Sequence, residues 1–130
     1  MTEQQISALF TNYRCLKAEH AIMKICSEQL LENFGSDFNT KYRLLERKMA
    51  VIDQLSAILP HNEQFIVQKH LTEGLPWSGI SEMIYADKES DLPYDKRSLQ
   101  RIQAKALTRI HTFIQHHFNE ALDFLTDGDL

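Results

Sequence analysis

The chain has 130 residues, of which 43% are hydrophobic and 25% charged, with a formal net charge of -4. That length suits one domain with a proper core, or a small domain with an interaction arm, and the balance excludes a disordered or fibrous chain. Only four Gly and three Pro leave few tight turns, which argues against a sheet-rich fold and predicts an all-α protein.

No stretch approaches the roughly 18 apolar residues that would span a bilayer. The start, "MTEQQISALF", lacks the basic opening and apolar run of a signal peptide, so the expectation is a cytoplasmic protein with no membrane partner. Cys15 and Cys26 sit eleven positions apart in one apparent helix, too far for a disulfide, and read as reduced thiols.

The first helix is expected from Glu3 to about Phe34, where Ile6, Leu9, Tyr13, Leu16, Met23 and Leu30, with their neighbours Phe10, Ile22 and Cys26, recur at three- and four-residue steps. Gly35 then reads as a C-terminal cap, with Ser36, Asp37 and Asn39 as turn or cap formers. A second helix follows from about Thr40 to Leu59, with a stripe of Tyr42, Leu45, Met49, Ile52 and Leu59. The short link makes the two an antiparallel hairpin. Pro60 opens a third helix that buries Phe65, Ile66 and Leu71 and closes at Gly74. Pro76 starts a fourth, anchored by Trp77, Ile80 and Ile84. The polar stretch "DKESDLPYD" connects it to a long fifth helix, N-capped by Asp95 and running on through "FNEALDFL". Its expected seam is Leu99, Ile102, Ala106, Ile110, Phe113, and further on Phe118, Leu122 and Leu125, before a fraying "TDGDL". The division is a hairpin over 1–59, a candidate dimerisation arm, and a trihelical unit with a long last helix over 60–130.

Charge is unevenly spread. Residues 95–111 hold five basic side chains against one acidic, inside an acidic protein. A solvated helix face usually alternates its signs. A concentrated local field is what a polyanion responds to, whatever the net charge. The last two helices of a trihelical unit joined across a turn form the layout of a helix-turn-helix, whose second helix enters the major groove. Lys96, Arg97, Gln100, Arg101 and Lys105 fall outside the apolar seam, with Gln103 and Ala104 at its border. Arg97, Gln100 and Arg101 suit base readout, because Arg can bond guanine and Gln adenine bidentately. Lys105 and Arg109 suit phosphate contact.

These same residues carry a resemblance. "LPHNEQFIVQKHLTEGLPWSGISEMI" followed by "YDKRSLQRIQAKAL" resembles the region-four helix-turn-helix of bacterial sigma factors. It is similar also to the sigma-like late transcriptional activators of Gram-positive phages, the ArpU and RinA type. That family's last helix has the form Ser-x-Arg-Thr-aromatic-x-Arg-Ile-x-x-x-Ala-Leu. Asp95 stands at the Ser position, Arg97 at the first Arg, Ser98 at the Thr and Leu99 at the apolar site, while Arg101, Ile102, Ala106 and Leu107 match directly. The resemblance implies that Arg97, Ser98 and Arg101 read DNA. The chain departs from the family in its link, where "ADKESDLP" lengthens a compact turn and adds Asp87, Glu89 and Asp91.

No nucleophile elbow, phosphate loop or framed carboxylate pair occurs, so neither an enzyme nor a cofactor is expected. His111, His116 and His117 lack the i, i+4 spacing of helical metal ligands, and no metal is expected. Lys41, Arg43, Arg47 and Lys48 form a smaller basic cluster, read as a solvated face. The leading reading is a sequence-specific, phage-related transcriptional regulator that binds double-stranded DNA as a homodimer. A protein-interaction adaptor that binds RNA polymerase or another regulator is the alternative, with the acidic link at Asp87 to Asp91 and the acidic C-terminal end as its working surfaces. A ring-forming phage packaging subunit is a third.

Overall fold

The computed structural model describes residues 1–29 and 35–126. Five α-helices run in order: α1 Glu3–Gln29, α2 Gly35–Ala57, α3 His61–Val67, α4 Trp77–Ala86 and α5 Lys96–His117. A π-helical turn, Gln68–Thr72, extends α3, and a 3-10 segment, Asn119–Thr126, follows α5. No strand occurs among the described residues.

Local chemistry sets most of these boundaries. Thr2 and Gln5 form a reciprocal cap on α1: the Gln5 amide donates to Thr2 Oγ1 at 3.1 Å, and the Thr2 amide to Gln5 Oε1 at 2.8 Å. Two otherwise orphaned donors are thereby satisfied. Pro60 and Pro76 precede α3 and α4 with extended ψ values of 157° and 156°, where a missing N–H costs nothing. Gly74 ends the π-helical turn at φ +72°. A Cβ there would meet nothing within 4 Å, so the backbone angle alone selects glycine.

Two apolar cores share α3 and α5. The larger joins Ile6, Leu9 and Phe10 of α1, Ile52 and Leu55 of α2, Leu59, Val67, Leu71, then Ala106, Ile110 and Ile114 of α5 and Leu125. The smaller joins Ile66 of α3, Ile80 and Ile84 of α4 and Leu99 of α5. Ile66 and Val67 are neighbours in sequence yet serve different cores, which makes α3 the wall between them. Residues on both sides of the boundary expected at 59/60 meet in the larger core. The inward face of the hairpin is therefore occupied, and only its outward face remains for a second copy. Tyr13 ties the hairpin together by donating to Asp53 Oδ1 at 2.8 Å, and Lys41 pairs with Glu19 at 3.1 Å.

Several expectations change. α2 begins at Gly35, with Ser36, Asp37 and Asn39 inside the helix rather than in a turn; Asp37 in the first turn faces the positive end of the helix dipole. Leu30 and the expected end of α1 at Phe34 lie outside the described residues, as do 127–130 of the tail. α5 stops at His117, because Asn119 takes φ +48°, a left-handed angle that Asn tolerates better than most residues. This break leaves Phe118 exposed (42%) rather than in the seam, while Ile114, which the seam omitted, is buried. Trp77 is half-buried, packed against the smaller core on one side and stacked on His70. The second basic cluster is not one solvated face, since Lys48 is only 3% exposed and Lys41 is paired.

Candidate nucleic-acid interface

Asp95 starts α5 by accepting the Ser98 amide on Oδ2 at 3.0 Å, while its carbonyl accepts from Leu99 at 3.1 Å. The hydrogen bonds from Ser98 hold the Asp95 carboxyl below its usual range, and the Arg101 charge adds a smaller part. The one acid in this stretch is thus engaged at the helix end, with Arg101 near enough for its charge to act on it. Leu99, fully buried in the smaller core, fixes the rotation of the helix.

With that rotation, Lys96, Arg97, Gln100, Arg101, Ala104 and Lys105 are exposed and Ser98 is half-buried. None of Lys96, Arg97, Arg101 and Lys105 has an ion-pair partner among the described residues. A shallow depression of about 540 Å³ lies along this face, lined by Arg101, Ala104, Lys105, Thr108, Arg109 and Thr112. Ala104, Thr108 and Thr112 recur every four residues, a stripe of small side chains along the depression. That spacing was available in the sequence, though only Ala104 was picked out. Tyr94, just before the cap, is 56% exposed and meets the edge of Tyr85 at 5.4 Å.

Among the described residues, three of the eight candidates have internal partners: Ser98 through the Asp95 cap, and two others farther along the helix. Gln103 Oε1 lies 2.7 Å from His70 Nδ1, and the His70 ring stacks on Trp77 at 3.7 Å. Arg109 donates from Nε to Glu63 Oε1 at 3.1 Å and from Nη2 to Oε2 at 3.0 Å. Glu63 is 4% exposed, so this bidentate pair neutralises a carboxylate buried at the start of α3. The Glu63 hydrogen bonds push the Arg109 proton affinity up. Thr108 donates to Glu3 Oε1 at 2.6 Å, tying this end of α5 to the start of α1.

Among the described residues, no three His, Cys, Asp or Glu side chains gather as metal ligands, and no helix is long and apolar enough to cross a membrane. No family model, curated protein or solved structure matches the chain, so any functional reading rests on these residues and their geometry.

Proposed function

We propose that this chain is a sequence-specific, phage-related transcriptional regulator that lays the N-terminal half of α5 in the major groove of DNA. The observation that carries the reading is the exposed cationic face Lys96, Arg97, Arg101 and Lys105, without ion-pair partners among the described residues, beginning at a helix end whose one acid is already engaged. At 1.5 Å per residue, Arg97 to Lys105 spans about 12 Å, roughly three to four base steps. Arg97, Gln100 and Arg101 are assigned to base edges, and Lys96 and Lys105 to phosphates. Ser98 stands between them as the family resemblance implies. Gln103 and Arg109 orient the helix through His70 and Glu63 rather than touching DNA.

In this reading α4 supports α5 as the first helix of the motif. The nine residues between them (87–95) replace the family's compact turn. A homodimer supplies the second half-site. It is supported by the outward face of α1, where Ala8, Thr11, Cys15, Ala18, Ile22 and Ile25 are all exposed at alternating three- and four-residue steps. Ile22 (61%) and Ile25 (52%) are the large apolar members of this heptad seam. Replacing both with Lys is expected to turn a dimer into a monomer in sedimentation equilibrium. A wild-type monomer at every concentration contradicts the dimer.

The test of the main reading is selection of a preferred site from a randomised duplex pool. Arg101→Ala is expected to cost about 1–3 kcal/mol on that site and to relax preference at one base position. A protein that selects nothing, even at low salt, is the adaptor instead.

A further inference from the structure

A second surface on the same unit has the opposite sign. An open cleft of about 760 Å³ lies between the start of α3, the end of α4 and the link to α5. Its floor is apolar: Phe65, Met83, Ile84, Leu92 and Pro93. Its rim carries Asp87, Glu89 and Asp91, and no Lys or Arg lines it. Met83 is 42% exposed there, a large apolar side chain left in water.

We propose that this cleft docks a basic polypeptide segment bearing an apolar anchor side chain. Three features select that occupant. The volume falls within the range of about 300–1,000 Å³ typical of pockets that enclose a ligand, enough for a Leu- or Phe-sized anchor and the stem of a neighbouring cation. Met83 is flexible and polarisable, suited to packing against side chains of varied shape. Lys and Arg lay their methylene stems on apolar surface while the head seeks a carboxylate, which is the arrangement this floor and rim offer. A nucleic-acid backbone would meet three carboxylates with no Lys or Arg lining the cleft to offset them, so the cleft disfavours it.

The rim is also ordered in advance. The Glu89 amide donates to Asp87 Oδ1 at 3.1 Å, the Ser90 amide to the Asp87 carbonyl at 3.1 Å, and the Leu92 amide to Ser90 Oγ at 3.2 Å. A link that closes on itself loses less freedom when a partner binds. None of the residues assigned to DNA lines the cleft, so both surfaces can be occupied in one molecule. The extra residues that depart from the sigma-like pattern thereby acquire a role.

The experiment is fluorescence anisotropy of the full chain with two labelled peptides, Lys-Arg-Lys-Leu-Arg-Phe-Lys and the same peptide with Ser at both apolar positions. The first is expected to bind saturably and the second roughly tenfold more weakly. The triple variant Asp87→Asn, Glu89→Gln, Asp91→Asn keeps an acceptor for the Glu89 amide and is expected to lose about tenfold in affinity for the first peptide. Met83→Lys tests the floor separately, with a loss of similar size. Equal binding of the two peptides, equal binding to wild type and triple variant, or no binding would each overturn the proposal. Displacement of the bound peptide by a second copy of this chain would overturn the assignment to a foreign segment.

Discussion

Arg101 and Arg109 lie on the same helix, eight residues apart, on the same shallow depression. Arg109 is locked by two hydrogen bonds to a buried carboxylate and has its charge matched from within. Arg101 has no ion-pair partner among the described residues and presents its fork to solvent. The difference comes from what each half of α5 packs against. The first half rests on the smaller core through Leu99, and among the described residues no α4 carboxylate pairs with its cations. The second half enters the larger core, where α3 brings Glu63 within reach. Identical side chains on one helix therefore divide into a cation that neutralises a buried carboxylate and one with no ion-pair partner among the described residues.

The comparison breaks most severely if its platform is removed. Leu99→Ala is expected to cost about 2–5 kcal/mol in urea unfolding, because the fully buried side chain leaves a cavity between α3, α4 and α5. DNA affinity should fall with it. The two arginines then separate in opposite ways. Arg101→Ala should leave the unfolding midpoint unchanged and weaken specific DNA binding by about 1–3 kcal/mol. Arg109→Ala should lower the midpoint, because Glu63 is left buried without its partner, and should change DNA affinity by less than about twofold. Equal effects of the two substitutions on both readouts would erase the distinction.

How much of this was legible in the sequence follows the range of the interaction. The starts of α4 and α5 were readable because Pro76 and Asp95 act on their own neighbours. Leu99, Ala106 and Ile110 were readable from periodicity. The Arg109–Glu63 pair spans 46 positions, and no local pattern announces it, so Arg109 read as a phosphate contact. The contact of Gln103 with His70, 33 positions away, is equally invisible to any local pattern. The stop at His117 depends on one left-handed Asn in a stretch whose apolar spacing still looks helical. The cap of Thr2 and Gln5 was present as a local pattern and went unread.

Smaller effects sharpen the picture at the start of α5. Asp95 has a depressed pKa, so its contribution is fully present above the ordinary aspartate value, near 3.9, and is lost as pH falls through its lower folded value. Asp95→Asn keeps a capping acceptor without the titration. The variant's unfolding midpoint should therefore lack the part of the acid-side decline that the wild type shows below about pH 4. On the alkaline side, burial pushes Tyr13 up to about 12, helped by its hydrogen bond to Asp53. Its contribution is intact below the ordinary tyrosine value near 10 and is lost as pH rises through about 12. Tyr13→Phe should remove that step from an alkaline titration of tyrosine absorbance, and should leave DNA binding untouched.

The most direct test of the central claim is the salt dependence of DNA binding. Anisotropy of a labelled random duplex pool would be compared between the wild type and a variant carrying Lys96→Gln and Lys105→Gln, the two cations assigned to phosphates. If this face meets DNA, wild-type affinity falls steeply with salt, and each lost phosphate contact flattens the logarithmic slope by about 0.9. Wild-type binding that is absent at low salt, or the same slope in both proteins, would show that the cationic face of α5 is not a DNA surface.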